Sequence, residues 1–357
     1  MRLFAAKWFR RTAKIILPDG GPGAVANMNV RMWVKALQVI PRINKEEWDG
    51  LDVISRWLIS TRAAVLIMTF ISAGIAGLLA VRAGSFDGLR WGLLAIGLIF
   101  AHATNNLLND LTDFSRGVDQ NNYYRTQYGP QPLEQGLWSR KTHLIYIAVT
   151  GLIALAAGAY LVAVNGWLAL GFLLAGAFFV LFYTWPLKYI GLGELAVLIT
   201  WGPLMIGGGY YVITGQWDWN VAIASLAYAI GPTTVIFGKH IDKLKEDKAK
   251  GIHTLPVIIG ETASRYAVLT MIALQYIAVF ALVITGYFSP VLLIVVLAWY
   301  YLPPVIKIFS QPRPTEKPAS GPAAEGWPLY FVSAAFYQNR SYGLLLLVGL
   351  ILQLFLP

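Results

Sequence analysis

Nine apolar runs, each near the length needed to cross a bilayer, dominate this sequence of 357 residues. A transmembrane helix needs roughly 20 mostly apolar residues because the hydrocarbon core is about 30 Å thick. Backbone polar groups find no water there and must bond within the segment, which favours helices. The runs lie near 57–81, 89–108, 143–164, 167–186, 192–213, 219–239, 266–287, 289–308 and 341–356. The sequence therefore predicts an all-α integral membrane protein with about nine transmembrane helices. Eight or ten are the alternatives, because the last run is short and 328–337 can form a partial helix.

The composition agrees with this class and narrows the choice of partners. Hydrophobic residues make up 57% of the chain, charged residues 13%, and the mean hydropathy is +0.58, which does not fit an ordinary soluble domain. The absence of cysteine excludes thiolate metal sites, so any metal is held by oxygen or imidazole. The net charge of +10 is spread between apolar runs rather than over one basic face. It favours anionic lipids or diphosphates as partners and not nucleic acid.

Basic residues are concentrated in alternate loops, and this pattern predicts the orientation. The N-terminal segment, the second-to-third loop, the sixth-to-seventh loop and the eighth-to-ninth loop carry most of the Lys and Arg. Basic loops stay on the cytoplasmic side of a membrane. We expect a multi-pass protein of the cell inner (plasma) membrane, with the N-terminus cytoplasmic and without a cleavable signal. Residues 1–56 form a basic cytoplasmic or interfacial segment, and 57–357 form the transmembrane domain.

The first acidic cluster follows the second apolar run. Asp110 and Asp113 are three residues apart and share a helical face, with Asn109 beside them. Gly117 permits a turn that can bring Asp119 back to the same place. Carboxylates at the solvated end of an apolar helix are costly unless they are hydrated or bind cations. The simpler alternative is a solvated loop in which these acids balance neighbouring arginines.

The second acidic cluster follows the sixth apolar run and contains Asp242, Glu246 and Asp247. Asp242 and Glu246 are four residues apart and share a face, whereas Asp242 and Asp247 diverge by about 140° on a regular helix. Either Glu246 is a ligand, or the helix is distorted so that Asp242 and Asp247 act together. Two such clusters could hold Mg²⁺ ions that bridge a diphosphate.

Several segments together resemble one known family. The segment 109–119 fits the NDxxD…GxD pattern of the UbiA superfamily of intramembrane prenyltransferases, most like the branch that prenylates 1,4-dihydroxy-2-naphthoate in menaquinone synthesis. The segment 183–188 resembles the superfamily's YxxxxK segment, and 246–251 resembles part of its second Asp motif. In that second motif Lys243 stands where the first Asp aligns, and Asp242 lies one residue earlier.

The resemblance implies a bundle of about nine helices around a central cavity and a Mg²⁺-dependent reaction. In that reaction a prenyl group passes from a polyprenyl diphosphate to an aromatic acceptor. Tyr183 would stabilise an allylic cation or handle a proton. The residues carried over as metal ligands are Asp110, Asp113, Asp119, Asp242, Glu246 and Asp247. Those carried over as contacts of the diphosphate are Asn109, Arg116, Lys188, Lys239 and Lys248.

Three alternatives remain open from the sequence. A UbiA-type enzyme could act on another lipid or aromatic acceptor, and a membrane scaffold could carry acids that merely balance nearby basic residues. A polytopic transporter would more naturally show discontinuous helices at the membrane midplane and a repeated half. The acidic clusters here lie at the ends of apolar runs, which favours the enzyme.

Overall fold

The computed structural model describes residues 28–118, 129–319, 324 and 326–356. Within these residues the chain forms helices and turns, with no β-strand. The helices in chain order are α1 (Val30–Gln38), α2 (Lys45–Asp49), α3 (Val53–Ser60), α4 (Ala63–Arg82), α5 (Gly88–Ser115), α6 (Arg140–Asn165), α7 (Trp167–Phe182), α8 (Gly193–Thr214), α9 (Trp219–Asp242), α10 (Leu244–Ala249), α11 (Leu255–Ile259), α12 (Glu261–Ile284), α13 (Pro290–Ser310) and α14 (Tyr330–Leu352).

Seven helices of the described part are long and apolar enough to cross a membrane, namely α4, α5, α6, α8, α9, α12 and α13. Helix α7 is apolar but has only 16 residues, and α14 has 23. The prediction of an all-α membrane protein is confirmed. The number of nine membrane crossings stays a prediction.

Two predicted boundaries differ from the structure. The first membrane helix begins at Ala63 rather than near residue 57, because the hydroxyl of Thr61 bonds back to the Trp57 carbonyl and Arg62 adopts a left-handed φ of 56°. The possible partial helix at 328–337 and the last apolar run, 341–356, belong to one continuous helix, α14. Polar residues such as Gln338 separate these runs in the sequence, but Gln338 is buried and bonds to Gln275 of α12.

The described part of the N-terminal segment packs onto the membrane helices. Asp52 accepts a hydrogen bond from the indole of Trp33 and so ties α1 to the start of α3. Trp48 is fully buried and packs edge-to-face on Trp138, with ring centroids 5.1 Å apart. Trp48 belongs to a small hydrophobic core that also contains Ile59 and Leu137. This core fixes the position of the segment that leads into α4 and of the loop that precedes α6.

A large central cavity, about 2340 Å³ in volume, lies among α4 to α9, with α13 and α14 closing one side. Ligand pockets for drug-sized molecules are typically about 300–1,000 Å³. The cavity is therefore large enough for a long apolar chain as well as a second molecule, and its presence agrees with the predicted architecture.

Candidate active site

The first acidic cluster lies in the last two turns of α5 and is buried. Asp110 is 2% exposed and Asp113 is 3% exposed, so the alternative of a solvated loop does not hold for these two acids. Each carboxylate has a basic partner, because Arg62 pairs with Asp110 and the Nζ of Lys188 lies 2.9 Å from Oδ1 of Asp113. Buried carboxylates need such partners to remain charged. The two acids do share one face of a helix, as their spacing predicts.

A short loop after α7 completes this cluster. The 3₁₀ turn Leu187–Ile190 carries Lys188, which is 3% exposed, toward α5. Asn109 donates from Nδ2 to Oδ2 of Asp113 over 3.3 Å, and Thr184 donates to Oδ1 of Asn109 over 3.4 Å. The structure thus brings the predicted residues Asn109, Asp113 and Lys188 into direct contact.

The second acidic cluster is built around Asp247. The helix α9 ends at Asp242 and α10 begins at Leu244, so the backbone is interrupted at Lys243, where φ is −116°. Asp247 is 1% exposed, and its Oδ1 accepts a 2.8 Å bond from Lys243. Its Oδ2 is buried and has no hydrogen-bond partner among the residues described. Glu246 is half-buried beside it.

Asp242 has a different role from the predicted one. Its Oδ1 accepts bonds of 3.1 Å and 3.0 Å from the amides of Tyr330 and Phe331, and its Oδ2 accepts a 3.0 Å bond from the amide of Val332. These are the first amides of α14, which have no partner within the helix. Both oxygens of Asp242 are therefore engaged by a helix N-terminus, and the structure argues against the prediction that Asp242 is a metal ligand.

We expect Asp242→Ala to destabilise the fold by about 1–2 kcal/mol, the usual cost of losing a helix N-terminal cap. Thermal unfolding in detergent measures this loss, with Lys245→Ala on the exposed face of α10 as the control. The Mg²⁺ concentration for half-maximal activity should stay unchanged in Asp242→Ala. A shifted Mg²⁺ requirement with normal thermal stability would return Asp242 to the metal site.

Interloop hydrogen bonds hold the two acidic clusters at the same end of the helix bundle. Lys250, just after α10, donates to the carbonyl of Val118, just after the first cluster. The amide of His253 donates to the carbonyl of Tyr189 over 3.2 Å. Three loops that are far apart in the sequence therefore meet where α5, α7 and α9 end.

Tyr183 lies between the clusters and lines the cavity. A tyrosine hydroxyl is ordinarily protonated at neutral pH. Tyr183 can therefore offer an aromatic face or a hydrogen bond, but not a phenolate base.

Of the remaining predicted basic residues, Lys239 lines the cavity and the other two do not. Arg116 is exposed outside the cavity and stacks over Trp185 at 4.6 Å, Lys239 lines the cavity, and Lys248 is exposed. Asp119 lies outside the described residues, so its place in the site stays a prediction. In the part of the chain that is described, no three Asp, Glu or His residues form a group that could hold a metal by themselves.

Sequence reasoning missed two basic residues and one buried pair. Arg62 contacts Asp110, and Lys243 contacts Asp247. The sequence signal that could have identified both is a basic residue at the end of an apolar run. The buried pair is His240 and Glu194, in which Nδ1 of the imidazole lies 2.5 Å from Oε1 of the carboxylate.

The cavity has a polar end and an apolar body. Arg62, Asn106, Asn109, Tyr183 and Lys239 line the end that faces the acidic clusters. The body is lined mostly by apolar residues of α6, α7 and α8, with Trp201 among them. The site can therefore hold an anionic head beside the carboxylates and a long apolar tail away from them.

Comparison with protein families gives a match over most of this chain. The model of the UbiA prenyltransferase family matches residues 67–321. The 1,4-dihydroxy-2-naphthoate octaprenyltransferase of Bacillus subtilis is 25% identical over 307 residues, covering 83% of this chain and 92% of that protein. The human UbiA prenyltransferase domain-containing protein 1 is 30% identical over 200 residues, covering 54% of this chain and 56% of that protein.

Solved structures share the fold at low sequence identity. A UbiA homolog from Aeropyrum pernix K1 aligns with a TM-score of 0.58 and 18% identity, over 80% of this chain and 98% of that one. A UbiA homolog from Archaeoglobus fulgidus bound to GPP and Mg²⁺ aligns with a TM-score of 0.53 and 16% identity, over 82% of this chain and 99% of that one. These matches support the helical architecture around the cavity.

Proposed function

Because the chain belongs to the UbiA prenyltransferase family, we propose that it transfers a prenyl group from a polyprenyl diphosphate to an aromatic acceptor in a Mg²⁺-dependent reaction. The observation that carries this proposal is the position of two buried acidic clusters at the polar end of one large apolar cavity. A relative named for octaprenyl transfer to 1,4-dihydroxy-2-naphthoate supports an acceptor of the quinone-precursor type, as in menaquinone biosynthesis.

The residues of the two clusters fit a hard divalent cation. All candidate ligands are carboxylate or amide oxygens, which Mg²⁺ prefers. Oδ2 of Asp247 is buried with no hydrogen-bond partner in the described structure, a costly state that a cation would relieve. Asp110, Asp113 and Asp247, with Asn109 beside them, are the residues that would hold Mg²⁺. When bound, Mg²⁺ would supply positive charge that stabilises the departing diphosphate.

The basic residues of the site complement the same leaving group. Lys188, Arg62 and Lys243 are all nearly buried and are held in place by the carboxylates they contact. Fixed positive groups at low local dielectric stabilise developing negative charge more than solvated ones do, because they need no reorganisation. They would favour breakage of the carbon–oxygen bond, with both electrons leaving on the diphosphate.

The cavity would protect the resulting allylic cation. Its apolar walls exclude water, which would otherwise capture the cation as an alcohol. Tyr183 and Trp201 line the cavity and offer aromatic faces that can stabilise a cation. A new carbon–carbon bond then forms to the acceptor ring. The ring regains aromaticity by losing a proton from the attacked carbon, or carbon dioxide where that carbon bears a carboxylate; in both cases the bonding electron pair returns to the ring.

We expect purified protein in nanodiscs to form a prenylated product and release diphosphate when it is given a polyprenyl diphosphate, 1,4-dihydroxy-2-naphthoate and Mg²⁺. Mass spectrometry detects both products. Exhaustive chelation should stop the reaction, and added Mg²⁺ should restore it, because the proposed carboxylates act on the diphosphate through the metal.

Full turnover after chelation would contradict the metal dependence. Absence of product with every aromatic acceptor tested, together with product from a lipid alcohol, would instead support a UbiA-type enzyme for another acceptor. Uptake of substrate into vesicles without any product would favour a transporter.

A further inference from the structure

One face of α14 lines the cavity with a stripe of residues that includes a charge. Ser333, Phe336, Tyr337 and Arg340 recur at intervals of three and four residues and all contact the cavity. Such spacing places them on one side of a helix. Arg340 is the deepest member of the stripe.

The depth of Arg340 makes its charge significant. It lies ten residues beyond Tyr330, where α14 begins, which corresponds to about 15 Å at 1.5 Å per residue. At 23 residues α14 is long enough to cross a hydrocarbon core of about 30 Å, and Arg340 lies near the middle of the helix. A charged side chain near the middle of such a helix is costly in a membrane, and where it faces a cavity it usually marks a binding path.

No protein group in the described structure accounts for this charge. Arg340 is exposed to the cavity and makes no ion pair or hydrogen bond with any residue described, whereas the neighbouring Gln338 bonds to Gln275. Side chains on a helix lean toward its N-terminus. The Cα–Cβ bond of Arg340 is therefore tilted back toward the end of α14 that contacts Asp242.

Aromatic rings stand beside this arginine. Tyr301 packs edge-to-face on Tyr337 with centroids 5.3 Å apart, and Tyr300 packs on Tyr301 at 5.2 Å. All three rings line the cavity. A planar guanidinium can bind a carboxylate through two parallel hydrogen bonds. The edges and faces of the three tyrosine rings can pack against a flat aromatic group. The diphosphate has its own basic partners around Asp110 and Asp113, so the anion that Arg340 suits is a different one.

We propose that Arg340, with Tyr301 and Tyr337, forms the subsite for the carboxylate and ring of an aromatic-acid acceptor. This proposal rests on the proposed prenyl transfer and names the class of acceptor that the cavity selects. The acceptor would lie against α14 while the diphosphate lies against α5. The prenyl carbon that reacts would then lie between them.

The test compares a carboxylated ring with its uncharged counterpart by equilibrium binding. Isothermal titration of the protein in nanodiscs, without donor or metal, uses 1-hydroxy-2-naphthoate and 1-naphthol as probes. We expect Arg340→Gln to raise the Kd of the naphthoate roughly 10- to 100-fold, the usual effect of losing a hydrogen bond to a charged group. The Kd of 1-naphthol should change less than about twofold, and Arg340→Lys should give an intermediate loss.

Lys307→Gln is the matched control, because Lys307 is an exposed basic residue of the adjacent α13 that does not line the cavity. It should bind both probes as the unaltered protein does. Equal loss of both probes in Arg340→Gln, or no preference for the carboxylated ring in the unaltered protein, would overturn the proposal. Carboxylate-specific binding without any prenyl transfer would contradict the proposed function and leave the subsite standing.

Discussion

Replacing Asp113 with Asn is expected to lower prenyl transfer by about 10²- to 10³-fold, the range seen when a preorganised electrostatic group is removed from an active site. Asp113 is the carboxylate that both Lys188 and Asn109 contact, so its loss removes a proposed metal ligand and the partner that orients a basic residue. Turnover with saturating donor, acceptor and Mg²⁺ measures the effect. Asp49→Asn, at an exposed carboxylate of α2, is the control and should be neutral.

Because Asp113 and Lys188 form a buried ion pair, a second variant is needed to separate loss of stability from loss of chemistry. Asp113→Asn leaves the ammonium of Lys188 buried without a full counter-charge, which destabilises a protein even where no chemistry is involved. The double variant Asp113→Asn with Lys188→Met removes both charges and should recover much of the thermal stability. It should not recover transfer. Recovery of activity in the double variant would mean that Asp113 only neutralises Lys188.

The long-range partners of the first cluster could not be predicted from spacing. The shared face of Asp110 and Asp113 follows from local helix geometry, and the structure confirms it. Their burial depends on Arg62, which is 48 residues away from Asp110, and on Lys188, which is 75 residues away from Asp113. Local periodicity contains no information about such pairs, so the sequence alone could not exclude a solvated loop.

The second cluster shows the same limit. A helix distorted so that Asp242 and Asp247 act together was one of two predicted alternatives; the helix is interrupted at Lys243, but Asp242 bonds to α14 instead. The partner of Asp242 is the N-terminus of α14, whose first amides lie 88 to 90 residues further along the chain. The position of α14 itself was misread, because polar residues that bond to other helices interrupt its hydropathy. Hydropathy identifies a membrane helix well where its side chains face lipid, and less well where polar side chains of the helix bond to other helices.

We expect Asp247→Asn to reduce transfer by about 10²- to 10³-fold and Glu246→Gln to reduce it by less than about threefold. Asp247 is 1% exposed, is oriented by Lys243, and keeps one buried oxygen without a hydrogen bond. Glu246 is half-buried and takes part in no ion pair that the described structure shows. Turnover and the Mg²⁺ concentration for half-maximal rate, measured for both variants, give the ranking.

The two substitutions are matched, since each replaces one carboxylate by its amide on the same short helix. A merely structural role for Asp247 would lower thermal stability without changing the Mg²⁺ requirement, because the buried ammonium of Lys243 would lose its partner. A ligand role would raise the Mg²⁺ requirement, and Lys243→Met in the Asp247→Asn background would restore stability but not that requirement. If Glu246→Gln is the damaging change, the acid that faces the diphosphate is Glu246, and α10 must rotate when substrate binds. The first cluster would then still support prenyl transfer, and Asp247 would serve as the partner that neutralises the buried ammonium of Lys243.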